Sequence, residues 1–139
     1  MKKTFRYAII AATLFMVFYA CNPNDPNNNP QPTADPRDKF VGSWSCSEVS
    51  HQNGSSTFTV PISLNANNSS QLLLGNFYQM GQVYGVVAGT NVTVPSQSVS
   101  SCNIWGSGNI TNNNTRINWN YYVDTGADID TCTAVCNKQ

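Results

Sequence analysis

INWNYYV, residues 117–123, decides the fold. Ile117, Trp119, Tyr121 and Val123 take alternate positions, with Asn118, Asn120 and Tyr122 between them. A period of two puts the large apolar groups on one face of an extended chain, as in a half-buried antiparallel strand. The same period recurs upstream. Phe58, Val60, Ile62 and Leu64 share a face over Thr57–Leu64, and Phe40, Gly42, Trp44 and Cys46 alternate with Val41, Ser43, Ser45 and Ser47. Gln71–Gly75, Val83–Ala88, Val92–Pro95, Val99–Ile110 and Ile129–Cys136 read as further strands. Gly89-Thr90-Asn91 reads as a tight hairpin and Asn112-Asn113-Asn114 as a turn. Roughly eight short strands and no helical period predict an all-β antiparallel meander. Such a meander closes as an up-and-down barrel or flattened barrel, with a β-sandwich as the alternative. Pro61 lacks a ladder donor and predicts an edge position or a bulge.

The chain begins differently. In MKKTFRYAIIAATLFMVFYAC, residues 1–21, a positive end of Lys2, Lys3 and Arg6 precedes an apolar run from Ala8 to Ala20. A spanning helix needs about 20 apolar residues, so this run reads as a signal peptide. Ala20-Cys21 resembles the lipobox of bacterial lipoproteins, although Phe18 and Tyr19 stand where that pattern has Leu and a small residue. The resemblance implies cleavage before Cys21, lipid such as palmitate on it, and attachment to a membrane of the cell envelope, the outer membrane being expected. The competing reading is a secreted protein with an ordinary thiol at Cys21. Residues 22–36, NPNDPNNNPQPTADP, carry five prolines and no apolar side chain larger than Ala34. Such a segment cannot bury surface and reads as an extended tether, reaching roughly 45 Å at about 3.1 Å per residue. The expected organisation is a leader over 1–20, a lipid-anchored tether over 21–37 and one β domain over 38–139.

The zero net charge of the whole chain misleads, because three cations sit in the leader. From Cys21 onward, four Lys and Arg face seven Asp and Glu, a net charge of −3. A weakly acidic domain with scattered cations has no footprint for nucleic acid.

Cys46, Cys102, Cys132 and Cys136 remain, an even number suited to two disulfides in an oxidising compartment. Cys132 and Cys136 lie four apart on one strand, about 13 Å, too far to pair with each other. If a barrel closes, its first and last strands meet, and Cys46 takes Cys132 or Cys136 while Cys102 takes the other. A four-cysteine zinc site would need two close pairs, and only one is present; no metal and no cofactor is expected.

Candidates for chemistry are few. His51, the only histidine, sits in an expected turn without triad context. Glu48 shares the parity of Trp44 and Cys46 and faces inward, but one interior carboxylate is not the pair that glycoside hydrolysis uses. Asp124, Asp128 and Asp130 form D-x-x-x-D-x-D, which lacks the spacing of a calcium loop and reads as a solvated turn. Trp44, Trp119 and Tyr121 fall on inward positions; with Glu48, Phe77, Tyr78 and Trp105 they are the candidate ligand-binding residues, and their competing role is to fill the core. Phe77-Tyr78-Gln79-Met80 is expected to be an exposed loop and the first binding surface to test.

Phe40-x-Gly42-x-Trp44, the Tyr84-Gly85 element and Asn118-Trp119-Asn120-Tyr121 resemble motifs of small lipoproteins of Bacteroidetes-type bacteria. Gly42-x-Trp44 is also similar to the lipocalin and wider calycin pattern, in which the Trp closes the base of the barrel. The resemblance implies a fold more than an activity. The expected function is a non-enzymatic binding or interaction module at the cell envelope, whose partner is a small apolar ligand, a glycan or an envelope protein. The alternative is a calycin-like carrier holding a small apolar ligand.

Overall fold

The computed structural model describes residues 33–139. The leader, Cys21 and the tether as far as residue 32 lie outside the described residues.

Eight antiparallel strands follow one another: β1 (Gly42–Ser50), β2 (Gly54–Leu64), β3 (Gln71–Phe77), β4 (Gly81–Ala88), β5 (Asn91–Val99), β6 (Cys102–Thr111), β7 (Arg116–Asp124) and β8 (Ile129–Lys138). Each pairs with the next, and β8 pairs with β1 from Trp44↔Lys138 to Ser50↔Cys132, so the sheet is a closed barrel and not a sandwich. The alternation of β7 governs its burial: Ile117, Trp119, Tyr121 and Val123 are buried, and the residues between them face out.

An eight-stranded barrel is just wide enough for side chains to fill it. Trp44, Phe77, Trp119 and Tyr121 fill much of this one, with Leu72, Leu74 and Val83. Two glycines make room for the rings. A Cβ on Gly108 would lie 2.8 Å from the Trp119 indole, and one on Gly106 2.4 Å from the Tyr121 Cβ. Large residues on β7 thus face bare backbone on β6.

One end, the base, is closed by a 3₁₀ turn at Asp38–Phe40 that buries Phe40. The Trp44 indole N–H donates to the Phe40 carbonyl at 2.8 Å, and Lys138 Nζ stands 5.4 Å over the Trp44 ring. Arg37 is buried at the same end, donating to the carbonyls of Asn68 and Gln71 at 2.9 Å and pairing with Asp35. Asp35 and Arg37 thus pack with the barrel unit, which runs from Ala34. Arg37 belongs to it because its guanidinium satisfies carbonyls of the β2–β3 turn.

The register gathers the cations at one end of the barrel axis, where Asp35 and Asp38 also lie. Arg37, Lys39, Arg116 and Lys138, all the Lys and Arg among the described residues, lie at the base. Glu48, Asp124, Asp128 and Asp130 lie toward the other end, the mouth. These cations are distant in sequence, and only the meander brings them together.

Pro61 lies at a local edge of β2, as expected, paired with Ser43 of β1 but without a partner on β3. It sits one residue beyond the last β2–β3 pair, Ile62↔Leu74, next to a register shift in β3 between Leu74 and Phe77. β5 does not stop at Pro95 but runs on to Val99 through a register shift between Val94 and Gln97. Ser100 and Ser101, both at positive φ, then make the hairpin into β6.

Cys46 and Cys136 are directly opposed across β1 and β8 and form a disulfide. The second bridge is not formed: Cys102 and Cys132 are free. Cys132 is level with Gly106 through Tyr121, and Cys102 lies four residues from that level and two strands away. At 3.3 Å per residue that is about 13 Å along the strand alone, beyond disulfide reach.

Candidate functional site

The inward face of β1 carries Trp44, Cys46, Glu48 and Ser50 in order from base to mouth. On β8, Asp130, Cys132, Ala134 and Cys136 point inward by the same parity. The apolar filling therefore gives way, in the last two layers, to Glu48, Ser50, Asp130 and Cys132.

Asp130 is 1 % exposed and its carboxylate is fully engaged. Oδ2 accepts from the hydroxyls of Ser50 and Tyr78 and from the Asn53 amide, and Oδ1 accepts from the Gln52 N–H at 3.1 Å. The Asn53 amide also donates to the Tyr78 hydroxyl at 2.8 Å, and the Asn53 N–H to Ser50 Oγ at 2.7 Å. Burial opposes the charge on Asp130, but these hydrogen bonds outweigh it and hold the carboxyl below its usual range. One buried anion ties together the β1–β2 turn, the start of β8 and the β3–β4 corner.

That corner is Phe77–Met80, and it is not an exposed surface. Phe77 is buried, with its ring 5.0 Å from Trp119 and 4.8 Å from Tyr121. Tyr78 is half-buried and edge-on to Tyr121 at 6.1 Å, Met80 packs against the core, and Gln79 alone is exposed. Tyr78 and Gln79 take left-handed φ of 53° and 59°. That conformation costs about 1–3 kcal/mol per residue. Burying Phe77 and pairing three aromatic rings is worth about 1.5–3 kcal/mol plus about 0.5–1.5 kcal/mol per ring pair, enough to fold the corner inward. Burial, followed by the hydrogen bond to Asp130 and its charge, pushes the Tyr78 phenol up.

Glu48 differs from Asp130. It is 4 % exposed, Oε1 has a distant donor in the Ser56 hydroxyl at 3.4 Å, and Oε2 has no partner. Burial, against the Ser56 contact and with the nearby Asp130 charge, pushes its carboxyl up to about 7. The Tyr121 hydroxyl, on a side chain 2 % exposed, is also without a partner. A recess of about 260 Å³ opens beside Glu48, lined by Glu48, Asn53, Gly54, Ser56, Tyr78 and Gln79. A larger depression of about 450 Å³ spans the outer wall over Ser47, Val49, Ser55, Thr57 and Val135 and also borders Glu48 and Ser56. The recess is the better candidate because it sets the buried, unsatisfied carboxylate of Glu48 beside Asn53 and Tyr78, which bind Asp130.

The raised carboxyl of Glu48 makes the barrel's stability pH-dependent. Below about pH 4.5 Glu48 is protonated in both folded and unfolded chains and carries no penalty. Between 4.5 and about 7 the unfolded chain gives up its proton while the fold retains it, so stability falls as pH rises. The full span is worth at most about 3 kcal/mol. Glu48→Gln is therefore expected to stabilise the barrel by about 2 kcal/mol near pH 8 and to change little near pH 4.5. Urea unfolding midpoints at the two pH values check this, and an equal effect at both would refute it.

The other sequence candidates are dispersed. Trp44 closes the base, Trp119 and Tyr121 fill the middle, and Trp105 lies half-buried on the outer wall, stacked on Tyr122 at 5.5 Å. Only Glu48 and Tyr78 line the recess, with Phe77 packed behind Tyr121. Asp130 is the site residue that the sequence pattern hides. Its spacing from Asp124 and Asp128 assigns it to the acidic turn, yet its parity with Cys132, Ala134 and Cys136 marks it as inward. Asp124 and Asp128 behave as turn residues, accepting from the N–H of Gly126 and Ile129 at 2.8 Å. No group of three or more metal-ligating side chains occurs among the described residues. His51 lies exposed in the β1–β2 turn.

Cys132 is fully buried, and burial together with the charges of Asp130 and Glu48 pushes its thiol up. Nucleophilic chemistry needs the thiolate, so this thiol is a packing group.

The fold is similar to that of a redesigned beta barrel, b11L5F_LGL, at a TM-score of 0.55 and 11 % identity, covering 76 % of this chain and 96 % of that one. It is similar also to EF1p2_mFAP2b bound to DFHBI, at a TM-score of 0.54 and 12 % identity, covering 76 % and 98 %. At these identities the likeness concerns the fold alone. No protein-family model and no curated protein matches the chain.

Proposed function

We propose that the chain is a membrane-anchored, non-enzymatic binding module of the bacterial cell envelope, and that its binding element is the mouth of the barrel. One observation carries the second part. In a barrel filled by Trp44, Phe77, Trp119 and Tyr121, Glu48 lines the mouth recess with Oε2 unsatisfied, one of two buried side-chain polar atoms without a partner among the described residues. An unmade buried hydrogen bond costs about 1–3 kcal/mol, more for a charged group, and a bound molecule that supplies a donor recovers it. A non-enzymatic role fits the chemistry of the site. Asp130 is fully occupied by hydrogen bonds, Glu48 has no carboxylate partner free to act with it, and Cys132 is held as a thiol.

The apolar-carrier alternative draws support from the likeness to a barrel bound to DFHBI. Against it, aromatic side chains occupy the interior where such a ligand would lie, and the mouth recess is lined by Glu48, Asn53, Ser56, Tyr78 and Gln79.

The anchor rests on the lipobox-like Ala20-Cys21 and the proline-rich stretch behind it. Several acyl chains at about 0.8 kcal/mol per buried CH₂ hold a protein far more firmly than one. Expressed in a bacterial host, the unaltered chain is expected to take up labelled palmitate and fractionate with membranes, whereas Cys21→Ala is expected to do neither. Retention of Cys21→Ala on the membrane would overturn the anchor. For the mouth, small polar compounds are expected to move the amide resonances of Gly54, Ser56 and Gln79. Movements confined to the outer wall would overturn the mouth reading.

A further inference from the structure

The mouth offers acceptors and lacks a donor to meet them, which points to the chemistry of its ligand. Both Asp130 oxygens are taken, and Glu48 Oε1 faces the Ser56 hydroxyl, so the open carboxylate acceptor at the recess is Glu48 Oε2. Asn53 and Gln79 add amide carbonyls at the rim. No Lys or Arg among the described residues lies at this end; all four are at the base. The field in the recess is that of Glu48, Asp124, Asp128 and Asp130.

We propose that the mouth recess receives a protonated primary amine, whose ammonium donates to Glu48 Oε2. The proposal rests on the mouth being the binding element.

Other cations fit less well. A guanidinium binds a carboxylate best through both oxygens, and Glu48 has one to give. A calcium-type ion wants six or more oxygen ligands with several carboxylates, and a single open carboxylate oxygen does not supply them. An ammonium is a compact charge with three donors that can meet separated acceptors one by one. The half-exposed Tyr78 ring at the recess offers the cation an aromatic face. A recess of about 260 Å³ admits the amine head and a short carbon stem. Occupancy would also lower the cost of a charged Glu48, since an opposite charge beside a carboxylate favours its ionised form.

The test uses the ¹⁵N-labelled full chain in lipid nanodiscs, titrated near pH 7.5 with ethylammonium chloride at matched salt. Propanol and sodium acetate serve as neutral and anionic probes of similar size. Ethylammonium is expected to shift the amides of Gly54, Ser56 and Gln79 saturably, and Glu48→Gln to weaken this by about tenfold or more. Should Glu48→Gln not fold, the unaltered chain at about pH 5 replaces it, because there Glu48 is protonated while the amine keeps its charge. The groups facing Glu48 are Ser56 of β2, Asp130 and Cys132 of β8 and Tyr78 of the β3–β4 corner. Of these, Asp130 alone is charged at that pH.

Absence of a saturable ethylammonium shift at these amides, or undiminished binding in Glu48→Gln, would overturn the proposal. If propanol or acetate moves the same amides and ethylammonium does not, the ligand class falls and the mouth stands. If no probe moves them, both fall. A further titration with Nα-acetyl-lysine methylamide separates the sources of the amine. Tighter binding than ethylammonium assigns the site to a lysine side chain of a partner protein, and weaker or equal binding to a small free amine.

Discussion

Loss of the Cys46–Cys136 disulfide is expected to destabilise the barrel by about 4 kcal/mol. The bridge spans 90 residues, almost the whole barrel. In the chain-entropy account a loop of that length is worth about 4.5 kcal/mol, within the 2–5 kcal/mol seen when native bridges are removed from small secreted domains. Its position magnifies the consequence. β1 and β8 are neighbours only because the sheet closes, and their pairing joins the ends of the barrel sequence. All other strand pairs are sequence neighbours and form with short loops; this one depends on long-range closure, the entropically costliest contact in a meander. The Cys46→Ser/Cys136→Ser chain, compared with the unaltered one in urea, measures the effect, and reductant applied to the unaltered chain should reproduce it. A change below about 1 kcal/mol would mean that the seam holds without its staple. Cys132→Ala is the control, since it removes a buried free thiol without opening the seam.

Removing Asp130 is expected to cost about 3 kcal/mol near neutral pH. Hydrogen bonds to a charged group contribute about 1.5–3 kcal/mol each, and those here share one acceptor and do not add. Asp130→Ala strands the Ser50 and Tyr78 hydroxyls and the Gln52 N–H, and it frees the left-handed corner at Tyr78. Asp130→Asn, which keeps the volume but turns an amide N–H₂ toward donors, should lose most of the same amount. The pH dependence has a definite sign. Because the folded carboxyl is held below its ordinary range, its contribution is complete above about pH 4 and is lost as pH falls through the depressed folded value. The gap between the unaltered chain and Asp130→Ala in urea midpoint should therefore narrow on acidification. It sinks the hub reading if the two are equally stable at pH 7, or if the gap widens in acid. Asp130 and Glu48 thus act in opposite directions across the same few ångströms: one anion is satisfied and stabilises the acidic end, the other is unsatisfied and destabilises it above neutral pH.

Much of the barrel is legible in the amino-acid sequence. The alternation through Ile117–Val123 and Phe40–Cys46 specifies which face is buried, since a one-residue slip would expose every large side chain. Eight such strands with short turns favour closure. Closure in turn places Cys46 opposite β8, although the choice between Cys132 and Cys136 needs the register. Legibility fails where the pattern is weak or the contact non-local. Pro95 and the serines after it carry no apolar alternation, so the pattern ends β5 four residues early. The Phe77–Met80 segment reads as a loop because its backbone is one; that Phe77 turns inward is decided by Trp119 and Tyr121, some 40 residues on. The mouth is half visible. Parity points Glu48 inward, but an acidic turn camouflages Asp130, and no linear pattern tells that one carboxylate is saturated and its neighbour open.

Closure of the sheet has a further consequence, for how the domain can meet another protein. A sheet with a free rim offers unpaired N–H and C=O groups, and many peptide-binding and aggregating β proteins recruit partners by laying an extra strand along it. Here every strand has two neighbours, so the backbone left for strand addition is confined to short stretches such as that of β2 before Ile62, which β3 does not pair. The Cys46–Cys136 bond lies on the seam that joins the two ends of the barrel sequence, and opening that seam exposes two rims. In a reducing setting that seam is where self-association would begin, and in an oxidising one the barrel is left to engage its surroundings mainly through side chains.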